Sequence, residues 1–395
     1  MTDKSKHVPQ GYKDSPLGII PKEWEVKRIL DFAPLQRGFD LPTEKIVKGA
    51  YPVVYSNGIL NFHIEYKAKG PGVVTGRSGT IGKVTYVESD YWPHNTSLWV
   101  TDFKGNNPKY VYYVYKYIGL SKFSSGSGVP TLNRNDVHVS KIAIPPIEEQ
   151  GCIVKVLELW DSAIEKQSEL IEKLKLRKRA LMQQLLTGKK RLPGFSGEWK
   201  EVKLGDIGEM FKGSGVPKDS IIEAGHKCLT YGDIYTKYDY VISNVKSYIN
   251  DDIASKSTKI QYGDICFAGS GETKEDIGKC ATFIDAQYGY AGGDIIIFRA
   301  KNSNPITLSY ILNSDSVIRQ KSNMGQGHSV VHIYPYQLEK LRFKLPPKVE
   351  QDTIASILMD VDKEIELAKE KLADLQSQKR GLMQQLLTGK KRVIE

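Results

Sequence analysis

The 395-residue sequence has only four cysteines, Cys152, Cys228, Cys266 and Cys280, with no CxxC spacing among them. That scarcity excludes a disulfide framework and a thiolate zinc site. No apolar run approaches the roughly 18 residues that span a bilayer. The start, MTDKSKHVPQ, has no apolar stretch of the kind a secretion signal needs, so a cytoplasmic location and no membrane association are expected. Histidine is also scarce. Of seven, only His328 and His332 lie close, four apart in HSVVHIYPY, on one face if that stretch is a strand. With no third ligand in sight, no metal is assigned. Catalytic signatures are missing as well. No serine sits in a GxSxG turn, and no Asn- or Asp-Pro-Pro-aromatic tetrapeptide of an amino-methyltransferase occurs. GRSGTIGK, Gly76 to Lys83, has the wrong spacing for a phosphate loop and is followed by Val84 where magnesium binding needs Ser or Thr. No catalytic residue is assigned and no cofactor is expected on this chain.

What is present suits a folded chain of two domains or more: 40% hydrophobic and 26% charged residues, with a formal charge of +10. The excess is uneven. Residues 1–150 hold 19 basic and 14 acidic groups and residues 151–192 hold 10 and 5, whereas residues 193–351 balance at 19 and 19 and residues 352–395 at 8 and 8. A basic total invites a nucleic-acid reading, but an excess confined to one half does not establish it.

An internal repeat organises the sequence. Residues 144–191 match residues 345–392 without a gap, 24 of 48 positions being identical, and LMQQLLTGKKR recurs unbroken from Leu181 to Arg191 and from Leu382 to Arg392. Upstream only landmarks persist: Glu23-Trp24 beside Glu198-Trp199, Ile81-Gly82-Lys83 beside Ile277-Gly278-Lys279, and GSGVPTLNRNDV beside GQGHSVVHIYPY. The order is therefore a variable domain (1–150), a conserved helix (151–192), a second variable domain (193–351) and a second conserved helix (352–395).

The conserved segments read as coiled-coil helices. From Ile153 the seam runs Leu157, Trp160, Ile164, Gln167, Ile171, Leu174, Lys178, Leu181, Leu185. The second copy runs Ile354, Leu358, Val361, Ile365, Ala368, Leu372, Leu375, Lys379, Leu382, Leu386, with a lysine at the same place. The alternating spacing of four and three is the heptad period. Proline pairs (Pro145-Pro146, Pro346-Pro347) precede the helices and Gly188 and Gly389 end them. These features predict an α+β protein: two similar mixed α/β domains separated by two long antiparallel coiled-coil helices, with a pseudo-twofold repeat. The alternative is that each helix packs on its own domain.

In the variable domains, Gly-rich loops carry short polar and basic side chains that can meet phosphates and base edges. The candidate DNA-binding residues are Asn57, Arg77, Ser78, Thr80, Lys83 and Asn133 in the first domain. In the second they are Ser270, Thr273, Lys274, Lys279 and His328, with Glu272 in the same loop. YVYYVYKY, Tyr110 to Tyr117, reads as an amphipathic core helix, and KLKLRKR, Lys173 to Arg179, as a solvated helix face.

Two unlike domains, each followed by a PPxxEQ-like lead-in and a long helix ending QQLLTGKKR, closely resemble the specificity subunits of type I restriction-modification systems. Tyr51 to His94 is similar to a common version of their first target-recognition domain. The resemblance implies that each variable domain reads one half of a bipartite, asymmetric double-stranded DNA target, with the helices acting as a ruler for the spacer. It implies two methyltransferase (modification) subunits docked on the helices and conserved edges, and restriction/translocase subunits joining for cleavage. S-adenosylmethionine, ATP and magnesium would then be used by those partners, and this chain would catalyse nothing. A different class of reading, a protein-binding scaffold with two variable domains on a coiled-coil spacer, is the alternative.

Overall fold

A computed structural model describes residues 8–125, 130–327 and 330–393. Among these residues five helices reach eight residues or more: α1 (Pro108–Ile118), α2 (Ile147–Leu185), α3 (Pro305–Leu312), α4 (Asp315–Met324) and α5 (Lys348–Leu386). The chain divides into two compact units. One joins residues 1–169 to 369–395, and the other is residues 170–368. Each unit thus holds one variable domain, the first part of the long helix that follows it, and the last part of the other long helix.

The first unit is built on a four-stranded antiparallel sheet in the order Leu35–Arg37, Ser97–Val100, Gly72–Gly76, Val84–Val87. The second repeats that order as Gly208–Lys212, Ile295–Ala300, Asp264–Ala268, Cys280–Phe283, and adds Val241–Ile242 in parallel at the end. A two-stranded ribbon also recurs, pairing Glu25–Arg28 with Lys141–Ile144 and Lys200–Lys203 with Arg342–Leu345. The mixed α/β fold expected from the sequence is therefore present twice, with the long helices attached.

Matching local chemistry starts matching helices. Asn107 caps α1 by accepting from the Lys109 and Tyr110 amides, and Pro108 fills the first turn. Asn304 and Pro305 do the same for α3. The tyrosine-rich segment is α1 itself, with Tyr110, Tyr113 and Tyr115 all fully buried or nearly so, as a core helix requires.

The two long helices pair antiparallel within each unit. In the first, Ile153, Val154 and Leu157 of α2 share one core with Met383 and Leu386 of α5 and with Leu387 just beyond its end. In the second, Ile354, Ala355 and Leu358 of α5 share one with Leu185 and Leu186 at the end of α2. Both cores include the domain's own residues, such as Trp24 and Tyr110 in the first and Leu308 and Phe298 in the second. Each helix consequently packs on its own domain at its start and on the other helix as well; the two arrangements posed by the sequence coexist.

Candidate nucleic-acid interface and helix junctions

In the first unit the fold gathers four loops. The Leu132 amide donates to the Arg77 carbonyl (2.7 Å), and Ser78 bridges to Thr131. The Arg77 and Ser78 amides donate to the Thr96 carbonyl at 2.9 and 3.2 Å. Lys83 Nζ donates to the Asn57 carbonyl at 2.5 Å. Gly76 sits so tightly in this junction that a Cβ there would lie 1.7 Å from the Thr80 carbonyl oxygen and 2.7 Å from that of Ser56, which only glycine avoids. Asn57, Arg77, Ser78, Thr80, Lys83 and Asn133 are thereby brought together; Asn57, Thr80, Lys83 and Asn133 are exposed, Arg77 and Ser78 half-buried. Asn133 also caps the short helix Arg134–His138 through the Asn135 amide.

Further polar groups border the same loops. The His94 ring packs on Tyr55 (4.3 Å between centroids) and its Nδ1 lies 3.0 Å from the Thr96 hydroxyl. Burial lowers the His94 pKa, outweighing the nearby Asp40 carboxylate, so the ring is a neutral donor and acceptor at pH 7. Asp40 accepts from Arg37 at 3.2 Å and from Asn95. Asn61 donates to the Tyr55 hydroxyl at 3.1 Å. Sequence reading missed this set because the residues come from three separate segments and only the sheet brings them side by side.

The second unit uses its loop differently. Ser270 is interior, 3% exposed, with its hydroxyl 2.9 Å from His332 Nδ1, so it joins strand Ser270–Gly271 to Val331–His332 rather than facing solvent. Lys279 is half-buried, donates to the Tyr235 carbonyl at 3.3 Å and lies 4.0 Å from Asp239; burial lowers its pKa against the pull of the Asp239 and Asp276 carboxylates. It holds the loop in place. Glu272, Thr273 and Lys274 remain exposed on the inserted segment, with the Thr273 hydroxyl donating to Asp276 at 2.9 Å. His328 lies outside the described residues.

At the helix ends the repeat becomes chemistry. Glu149, 6% exposed, accepts from the Trp24 indole (3.0 Å) and from Arg392 at 3.2 and 2.9 Å. Glu350, 1% exposed, accepts from the Trp199 indole (3.1 Å) and from Arg191 at 2.9 and 2.8 Å. A two-pronged guanidinium–carboxylate pair is strong and directional, which suits it to holding a helix end. The neighbouring glutamines also match: Gln150 takes the Asn107 amide and gives to the Pro145 carbonyl, while Gln351 takes the Asn304 amide and gives to Pro346. The lead-in glutamate and glutamine and the closing arginine are thus junction parts.

The seam residues lie where the helices pair. Leu157, Ile171, Leu174, Leu185, Leu358, Val361, Ile365 and Leu386 are buried; Trp160, Ile164, Leu181, Leu372, Leu375 and Leu382 are half-buried. The repeated lysine has a repeated setting. Lys379, 6% exposed, is paired with Asp161, which also accepts from the Tyr113 hydroxyl at 2.7 Å. Lys178, 8% exposed, is paired with Asp362, which also accepts from Tyr310. Each ammonium lies over aromatic faces as well: Lys379 is 5.1 Å from Tyr113, and Lys178 is 4.2 Å from Tyr240 and 5.6 Å from Tyr310. Among the described residues no group of three or more His, Cys, Asp or Glu could hold a metal ion. Among the same residues no helix is long and apolar enough to cross a membrane.

Two unlike loop-bearing domains, fixed by matching junctions to the same pair of helices, define a class of duplicated recognition scaffold. Residues 21–176 and 196–377 each match the type I restriction modification DNA specificity domain, and the chain belongs to that family. It is 23% identical over 402 residues to the type I restriction enzyme MjaVIII specificity subunit of Methanocaldococcus jannaschii, covering 95% of this chain and 94% of that protein. To the putative MjaX specificity subunit of the same organism it is 24% identical over 435 residues, covering 97% of each. Its fold is similar to that of the crystal structure of a type I restriction-modification system S subunit from M. genitalium, with a TM-score of 0.60 at 16% identity, covering 92% of this chain and 96% of that one.

Proposed function

We propose that this chain reads a bipartite, asymmetric DNA target, one half-site per variable domain, and that its helices set the spacing and dock adenine-N6 methyltransferase and restriction subunits. The observation that carries this reading is the contrast between junctions that agree residue for residue and loop clusters that do not. Selection on a spacer and docking frame would hold the first constant, and readers of two different half-sites would diverge. In the first domain, the loops bearing Arg77, Ser78, Thr80, Lys83, Asn57 and Asn133 offer backbone and side-chain donors to phosphates and base edges. In the second, the exposed Thr273 and Lys274 serve that role. Methyl transfer to adenine requires the base to leave the stack. That chemistry, with S-adenosylmethionine, ATP and magnesium, belongs to the partner subunits in this proposal, and this chain is not itself an enzyme.

The test is to co-express the chain with the methyltransferase encoded beside it and map methylated adenines in the host DNA. A two-part motif with a fixed gap is expected, and Arg77→Ala should relax only one of its parts. Absence of any bipartite motif, with both proteins soluble and associated, would refute the proposal. Salt-insensitive capture of protein ligands in place of steeply salt-dependent DNA binding would favour the scaffold alternative.

A further inference from the structure

The first unit has a groove, about 690 Å³, whose lining includes none of the candidate DNA-binding residues. Its floor is apolar: Ile20, Val114, Ala143, Met383 and Leu387 are buried beneath it, while Leu17 and Tyr117 stand 46% and 39% exposed. Its rim is cationic. Lys116, Lys122, Lys141 and Arg380 line it, and among the described residues no carboxylate does. All four rim cations are exposed.

The duplicate shows what that position takes. Leu120 and Val317 are equivalent, fully buried residues following α1 and α3. After Val317 the second unit continues the ten-residue α4, whose Gln320 accepts from the Arg342 amide (3.0 Å) and donates to the Arg342 carbonyl (2.8 Å). Arg342 is the counterpart of Lys141. In the first unit the described part of the same stretch forms a 3-10 turn, Leu120–Phe123, and the groove lies beside Lys141. One unit thus covers this strand with its own helix and the other leaves it open between basic residues.

We infer that the groove docks a short acidic amphipathic segment of another protein, its apolar side chains on the Val114, Met383 and Leu387 floor and its carboxylates on the lysine and arginine rim. An apolar floor excludes a nucleic-acid backbone as the better occupant, because phosphodiesters gain nothing from burying Leu17 and Tyr117. The chain's own first seven residues carry two lysines and one aspartate, the wrong sign for this rim. The assignment stands apart from the DNA reading above and can fail without it.

The probes are two fluorescein-labelled 16-residue peptides with one shared leucine face, the polar face all glutamate in one and all lysine in the other, titrated into the full chain. The acidic peptide should bind at least ten-fold more tightly and protect residues 114–118 and 380–388 from hydrogen exchange. Lys141→Glu with Arg380→Glu should reverse the preference, and Leu17→Ser should weaken both peptides, with unchanged melting temperatures showing that these exposed substitutions leave the fold intact. Equal affinity for the two peptides, protection elsewhere, or displacement of the acidic peptide by a 20-base-pair duplex would overturn the inference.

Discussion

Removing Asp362 tests how the long helices tolerate a lysine in an apolar seam. Asp362→Ala leaves the Lys178 ammonium, 8% exposed, without its carboxylate and strips the Tyr310 hydroxyl of its acceptor. Breaking a buried pair from one side costs about 3–5 kcal/mol. The Tyr240 and Tyr310 faces that remain at 4.2 and 5.6 Å return roughly 1 kcal/mol of that. A net loss of about 2–4 kcal/mol is expected, which in a unit of this size lowers the melting temperature by roughly 5–12 °C. Lys178→Met should cost less, because the Asp362 carboxylate it leaves behind is 28% exposed and keeps the Tyr310 hydroxyl donor, so water can replace the missing ammonium. Hydrogen exchange at residues 170–185 and 354–368 isolates the second unit without assuming that the whole chain unfolds in one step. If Lys178→Met proves as damaging as Asp362→Ala, the pair is a net source of stability and the desolvation argument is refuted.

The two closing glycines make a matched comparison. Both have left-handed backbones, φ 68° at Gly188 and 71° at Gly389, but a Cβ at Gly188 meets the Trp199 ring at 3.5 Å, whereas at Gly389 it meets Pro21 Cδ at 2.5 Å. Gly188→Ala should cost about 1–2 kcal/mol and Gly389→Ala clearly more by thermal unfolding; equal costs would show that the Pro21 contact yields freely. Burial raises the Asp161 pKa, but the Lys379 and Tyr113 bonds outweigh it and hold the carboxyl below its usual value. Its contribution is therefore complete above the unfolded pKa near 3.8 and lost as pH falls through the lower folded value. Asp161→Asn should flatten the acid limb of first-unit stability below pH 4, and an unchanged limb would assign that limb to other carboxylates. Finally, residues 1–192 alone carry both partners of each junction, Asp161 with Lys178 and Glu149 with Arg191. This fragment should form an antiparallel dimer by light scattering, weakened by Lys178→Asp and restored when Asp161→Lys is added; a monomer at every concentration would contradict the register.

Much of the helical frame was legible because it is written twice. The heptad seam, the terminal glycines and the repeated lysine follow from period and copy alone. The lysine's partners did not, because Asp161 and Asp362 lie outside the seam and Tyr113 and Tyr310 arrive from the variable domains. A signal was nonetheless available: Asn107-Pro108 and Asn304-Pro305 mark equivalent helix starts, and counting six residues on reaches both tyrosines. The loop clusters were harder. Glycine-rich composition located Arg77 to Lys83, but it could not distinguish an exposed Thr273 from an interior Ser270, since burial there depends on a bond to His332 sixty-two residues away. His94 and Thr96 carried no periodic or compositional mark at all.

The eleven-residue run LMQQLLTGKKR, with its glycine stop and closing arginine, has a genetic as well as a mechanical meaning. Two stretches of one gene that encode the same peptide offer a point at which homologous exchange can splice one gene's front half to another's back half. A hybrid formed there would keep Lys178, Arg191, Lys379 and Arg392 opposite their carboxylates wherever the imported half carries the same junction residues. Novelty in the variable loops is thereby uncoupled from the risk of misfolding at the helix junctions, and a population of such genes could change what its members recognise in a single recombination event.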